Sequence, residues 1–170
     1  MTAETRGMLI GAVGIAIFSL TLPLTRIAVV ELDPFFIAFG RAAVAGCIAL
    51  VPLLLERPRW PDVRQLGSLV IVALGAVYGF PLFTSMAMQT VPSSHGGIVL
   101  GILPLATSVV AALRFGEWPS LRFWVLAVIG AALVVAYSSI DGDQGLSLGD
   151  VWLMCAVVSA AVAYGEGGRL

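Results

Sequence analysis

Residues 94–120 read SHGGIVLGILPLATSVVAALRFGEWPS, and the reading of this stretch decides the fold. It opens beside His95, the only histidine of the chain, and carries no charge until it closes on Arg114, Gly116 and Glu117. About eighteen uncharged residues rising ~1.5 Å each cross most of a ~30 Å hydrocarbon core, so the stretch is a membrane-spanning helix. Gly97 and Gly101 stand four apart, a spacing that lets a neighbouring backbone approach closely. Pro104 removes a mid-span backbone donor and kinks the helix. With His95 at its mouth, these features predict an interior helix around which the other apolar stretches are arranged.

Working outward, the whole chain repeats the pattern. It has 170 residues, 59% hydrophobic and 11% charged, with a mean hydropathy of +1.03. A soluble domain carries about 25% charged residues, so this sequence cannot cover a soluble fold. It predicts an all-α, polytopic membrane bundle with spans over residues 7–30, 35–55, 66–89, 95–113, 121–140 and 146–164. Pro23 breaks the first span, whose first half carries Gly7, Gly11 and Gly14. Glu31 to Pro34 ends it and starts the second, which holds Arg41 and Pro52. Residues 56–64 are the most polar segment, with prolines that forbid a continuous helix. The third span carries Gly75, Gly79 and Pro81, and an acidic turn over 141–145 precedes the sixth. Cys47 and Cys155 fall inside apolar spans and read as small packing residues. The scattered arginines point to no nucleic-acid partner, and no Cys/His cluster suggests a metal or other cofactor. No nucleophile–base pair or phosphate-cradling loop argues for an enzyme.

Arginine placement orients the chain. There is no lysine, and Arg6, Arg57, Arg59, Arg64, Arg114, Arg122 and Arg169 fall on one side when the loops alternate. Only Arg26 lies towards the other side, with Arg41 inside span two. The positive-inside rule therefore predicts a cytoplasmic N-terminus and an outward-facing His95. Trp60, Trp118 and Trp124 then fall near the inner boundary and Trp152 near the outer one, where an aromatic belt sits.

Several residues stand out as candidates for a substrate path. Arg41 could pair with an anion, since intramembrane charges are costly, but its depth within about 10 Å of the outer interface favours an arginine that snorkels there or bonds loop carbonyls. His95 titrates near physiological pH and stands at the mouth of a kinked helix, or it is a helix-start histidine in a wet loop. Tyr78, Ser85 and Gln89 recur at helical spacing and predict a polar stripe facing span four, or hydrogen-bond glue between helices. Gly75, Gly79, Gly97 and Gly101 are expected at helix contacts. Glu117, between Arg114 and Arg122, reads as part of a solvated salt-bridge loop.

The chain resembles the drug/metabolite transporter superfamily, specifically its EamA-type domain, over nearly its whole length. Residues 33–46 read DPFFIAFGRAAVAG, similar to the family's proline-initiated helix with an arginine seven residues on, here Pro34 and Arg41. Residues 103–138 read LPLATSVVAALRFGEWPSLRFWVLAVIGAALVVAYS, similar to its mid-helix Pro104, interhelical Gly116–Glu117 and following Gly130. The resemblance implies ten helices in two five-helix repeats of inverted topology, a general transporter plan. Residues 1–140 then form the first repeat, and residues 141–170 the loop and first helix of an incomplete second one. Gly149 and Arg169 frame span six much as Gly7 and Arg26 frame span one, which fits a second copy. The expected function is that of the N-terminal part of an inner-membrane permease, exporting or exchanging small amino-acid-like metabolites by alternating access. Its partners would be the bilayer, a small-molecule substrate, and the missing C-terminal repeat or a second copy. A non-transporting membrane scaffold and a small self-assembling multidrug-type exporter are the alternatives.

Overall fold

The computed structural model describes residues 2–56, 60–141 and 147–170. Arg57, Arg59 and all but the first residue of the expected acidic turn lie outside them. The described chain is helical throughout its ordered elements, with no strand among them. Span one, Glu4–Ala28, span two, Pro34–Glu56, span three, Val63–Ala87, span four, Ser93–Phe115, and span six, Leu148–Gly167, are each long and apolar enough to cross a membrane. Span five, Leu121–Asp141, is 21 residues long and apolar over Leu121–Val134.

Local chemistry sets the ends of these helices. The Asp33 carboxylate accepts from the Phe35 and Phe36 N–H groups at 2.8 and 3.3 Å and starts span two. Asp62 with Gln65, and Ser147 with Asp150, form reciprocal capping boxes at the starts of spans three and six. Gly116, at φ 71°, ends span four in the left-handed conformation that glycine adopts without a Cβ penalty.

Prolines set the breaks. Span one is interrupted at Leu20, between Ala3–Ser19 and Thr21–Ala28, where the ring of Pro23 meets the carbonyls of the preceding turn. Span four is interrupted at Gly101 and Ile102, between Ser93–Leu100 and Leu103–Phe115, by the same action of Pro104. In span three the turn ahead of Pro81 widens into a π-helix over Ala73–Gly79. Pro52 lies inside span two, which continues through it.

The centre of the bundle is span six, and this corrects the expectation that span four holds that place. Gly149, Leu153, Ala156, Val157, Ala160, Ala161, Ala163 and Glu166 are buried along it. Spans three and four pack on its two flanks, while spans one and two lie against span three and span five against span four. Near the ends where spans four and six begin, Leu22, Ala87, Met88, Val91, Val99 and Leu153 form one core. Phe80, Ala156 and Ala160 form a second core deeper along span six. Gly97 and Gly101 of span four do not serve the expected close approach to an interior neighbour, whereas Gly96 packs beneath Met88 of span three. A Cβ added at Gly97 would meet nothing within 4 Å, and one at Gly101 would come 3.3 Å from Val134 of span five. Large apolar side chains on spans one and two, such as Met8, Ile15, Ile48 and Leu55, are exposed, as lipid-facing residues can be.

Candidate functional site

The site is built where spans three and four pass span six. At the π-helical turn, a Cβ added at Gly75 would stand 2.5 Å from the Ser159 carbonyl oxygen and 2.8 Å from the Ala163 Cβ. One added at Gly79 would stand 2.7 Å from Ser159 Oγ. Backbone therefore touches backbone here, and only glycine admits the approach. The broken ladders lie near mid-span: the π-helical turn in span three and residues 101–102 in span four. Span six runs unbroken from Leu148 to Gly167 between them.

Two polar constellations tie span six to span four, one at each end. Where both spans begin, His95 Nε2 donates to Asp150 Oδ1 at 2.6 Å. The other Asp150 oxygen accepts from the Ser147 N–H and hydroxyl, each at 2.8 Å, so the carboxylate is held by its capping box as well as by the imidazole. Where both spans end, the buried Glu166 accepts from Arg114 Nε at 2.7 Å and from the Ser68 hydroxyl at 2.6 Å. That carboxylate joins spans three, four and six. The Phe115 ring lies under both Arg114 and Arg169, whose guanidinium carbons stand 5.8 and 4.6 Å from its centroid. Arg26 completes the His95 end by donating from Nη1 to the Met88 carbonyl, at the C-terminal end of span three.

The expected site residues are dispersed around this frame. His95 lies in the first turn of span four, in the pair with Asp150. Tyr78 packs its ring on Phe39 of span two, centroids 5.8 Å apart. Ser85 is buried and donates to the Pro81 carbonyl at 2.7 Å, while Gln89 is exposed. The structure does not bring these three into one stripe facing span four. The expected spacing assumed a uniform 3.6-residue turn, and the π-helical turn shifts the register of Tyr78 against that of Ser85 and Gln89. Pro104 lines a cavity of about 300 Å³ with Gly101, Leu105, Phe123 and Gly130, between spans four and five. Arg41 lines a separate cleft of about 360 Å³ between spans one and two. Glu117 is exposed, and Arg114, expected to share a solvated loop with it, is bound to Glu166 instead. Trp152, expected in the outer belt, stacks on Phe83 at 5.9 Å. Cys47 and Cys155 are free.

The EamA-like transporter family matches residues 5–138. The chain belongs to that family. Among curated relatives, this EamA-like chain is 42% identical over 170 residues to the "Uncharacterized transporter YdeK" of Bacillus subtilis (strain 168), covering 100% of this chain and 59% of the relative. It is 26% identical over 151 residues to the "Uncharacterized transporter YcxC" of the same organism, covering 86% and 48%. It is 28% identical over 146 residues to the "Uncharacterized inner membrane transporter YedA" of Escherichia coli (strain K12), covering 85% and 47%. The chain thus spans about half to three-fifths of the length of these relatives. No solved structure matches it.

In this EamA-like protein, the sequence reading missed Asp150, Glu166 and Ser68. Asp150 carried a signal, because Ser147 and Asp150 stand at the spacing of a capping box ahead of an apolar run. Glu166 carried one too, as an acid near the end of a span whose nearest partners in sequence are glycines. Ser68 carried none.

Proposed function

We propose that this chain is the first half of a secondary transporter that exports or exchanges small organic, amino-acid-like metabolites by alternating access. The observation that carries the reading is the pairing of one continuous helix with two broken ones. Span six is held to span four at both ends, and the break in span four lies between the two attachments. A helix broken between two latches can pivot about the break, so that one end opens while the other stays closed. The His95–Asp150 pair is the latch on the outer face and Arg114–Glu166 the latch on the cytoplasmic face. The arginine excess on the Arg114 side supports that orientation and a cytoplasmic N-terminus. Interhelical breaks of this kind, at the level where a solute would sit, are a recurring feature of secondary transporters. Mid-span glycines and the π-helical turn give span three the same freedom beside span six. His95 stands at the mouth of the route in this reading, and the second repeat supplies the opposite wall.

The test is solute counterflow in proteoliposomes, with Cys47 and Cys155 replaced and paired cysteines at positions 95 and 150 or at 114 and 166. The protein is reconstituted alone and together with the C-terminal half of a longer relative. Oxidation of either pair should stop counterflow and reduction should restore it, with the two halves present. Counterflow that persists when either pair is oxidised would refute alternating access between spans four and six. Saturable counterflow by the 170-residue chain alone would refute its assignment as a half.

A further inference from the structure

The cleft between spans one and two holds a charge that the bundle leaves unmatched. Arg41 is the eighth residue of span two, about 10 Å along the helix from Pro34 at ~1.5 Å per residue. Arg26 has the Met88 carbonyl, Arg114 has Glu166, and Arg169 has the Phe115 ring. Among the described residues, Arg41 has no hydrogen-bond or ion-pair partner. It faces a cleft of about 360 Å³ whose walls include Ile17, Leu24 and Ile37, with Thr21 and Thr25 as the other polar residues.

The threonines are the second, independent sign. They stand four apart and so share one face of span one. Four hydroxyls in spans three and four bond to carbonyls one turn back: Thr84 to Phe80, Ser85 to Pro81, Thr107 to Leu103 and Ser108 to Pro104, all at 2.7–2.9 Å. Thr25 is only 5% exposed, yet among the described residues its hydroxyl bonds to nothing. No buried side-chain oxygen or nitrogen among the described residues is sealed off without a partner, so the Thr25 hydroxyl opens onto the cleft that it lines.

A guanidinium, two hydroxyl donors and aliphatic walls describe one class of guest. The guanidinium fits an oxyanion bidentately, the hydroxyls can donate to the same oxygens, and the walls accept a hydrocarbon tail. We infer that the Arg41 cleft is a binding site for the carboxylate of a small aliphatic solute. The cleft lies at the same end of the bundle as the His95–Asp150 pair, because span one ends there and spans two, four and six begin there. The inference deepens the transporter reading by naming a substrate class, and it is stated as binding so that it can fail while transport stands. Two occupants carry oxyanion chemistry, a free carboxylate and the phosphate of a lipid headgroup.

The experiment measures equilibrium binding of radiolabelled 3-methylbutanoate to the 170-residue chain in phosphatidylcholine nanodiscs, with 3-methylbutanamide as the competitor that lacks the charge. The carboxylate should bind saturably and the amide should not compete. Arg41→Gln should weaken binding about tenfold or more, as expected for a charge-assisted hydrogen bond, and Arg41→Lys by less. Thr25→Val, which keeps the side-chain shape, should weaken it several-fold, and Thr25→Ser should restore it. Nanodiscs enriched in phosphatidylglycerol should leave the affinity unchanged. No saturable binding, equal competition by the amide, or unchanged affinity in both Arg41→Gln and Thr25→Val would overturn the site. Loss of carboxylate binding on adding phosphatidylglycerol would assign the cleft to a lipid headgroup and overturn the solute.

Discussion

In span one, Glu4–Ala28, a Cβ added at Gly7, Gly11 or Gly14 meets nothing within 4 Å; in span six, Leu148–Gly167, one added at Gly149 stands 2.5 Å from Thr90 Oγ1. Both spans carry a glycine near the start and an arginine near the end, and both are rich in small residues. Yet 39% of the most apolar window of span six is buried against 6% of that of span one. The difference teaches what organises helices in a bilayer. Lipid tails are as apolar as leucine, so a small-residue face permits close packing without driving it. What span six has in addition is a carboxylate at each end, Asp150 and Glu166, and each finds a partner on span four. Span one is tied near one end by Arg26 on Met88 and near its middle by the Phe18–Phe80 stack at 6.1 Å. Polar anchors at both ends choose which glycine face is filled.

The largest test of that contrast is at the contact itself. Gly75→Val puts branched carbon into the Ser159 carbonyl and the Ala163 Cβ, which are backbone and a methyl with no rotamer to escape through. Overpacking of this kind costs about 1–3 kcal/mol and more where backbone must shift. The expected outcome is a large fall in thermal stability in detergent, or loss of folded protein. Gly11→Val, in open space, should leave stability within about 0.5 kcal/mol. Equal losses from the two substitutions would break the comparison.

The next effect is at the Glu166 anchor. Glu166→Gln leaves Arg114 and Ser68 facing a neutral amide, and so loosens spans three, four and six together. Its thermal midpoint should fall by several degrees, while Glu117→Gln, at an exposed loop acid, should leave it unchanged. A drop with Glu117→Gln and none with Glu166→Gln would return the structural role to the loop, as the sequence alone suggested.

How much of the fold and the site is legible in the sequence depends on what each signal rests on. Long apolar runs are plain in composition, so the sequence places six helices within a few residues of their observed ends, five of them long and apolar enough to cross a membrane. Breaks at Pro23 and Pro104 are legible because proline acts on its own preceding turn. The π-helical turn is not, and with it goes the register of Tyr78, Ser85 and Gln89, because a widened turn leaves no compositional mark. The choice of span four as centre fails for a related reason. Gly97 and Gly101 announce room for a neighbour without saying which helix arrives, and only pairing across 55 or 52 residues of sequence, His95 to Asp150 and Arg114 to Glu166, decides it. The Arg41 charge is legible; the Thr21 and Thr25 hydroxyls opposite it depend on how spans one and two pair, and sequence alone does not single them out.

A smaller effect is expected at the His95–Asp150 anchor. The His95 and Asp150 side chains are each 18% exposed, so solvent weakens the pair, and Asp150 keeps its bonds to Ser147 when the imidazole is removed. A double-mutant cycle with His95→Ala and Asp150→Asn should give a coupling of about 0.5–1 kcal/mol. A coupling near zero would leave span six anchored at one end only, as span one is, and would sharpen the comparison onto Glu166 alone.

The smallest effect, and the one that isolates span one, is replacement of Gly7, Gly11 and Gly14 together by alanine. Nothing lies within 4 Å of any of the three added methyl groups, so no neighbour has to move. Glycine in a helix interior costs about 0.5–1 kcal/mol relative to alanine through the backbone freedom it loses on folding. Both terms point the same way for the 170-residue chain. Its helicity should stay constant or rise slightly, and its thermal midpoint should not fall. A triple substitution placed instead on the small face of span six, Gly149→Ala and Gly165→Ala with Ala160→Val, should unfold the bundle, since Gly149 already faces Thr90 and Val91, and Gly165 faces Val110 at 3.0 Å. Melting curves of the two triple variants, recorded in one detergent, check this. A clear loss of stability from the span-one variant would mean that its glycine face is packed after all, against a second copy of the chain in the micelle, and a shift of that loss with protein concentration would identify such a copy.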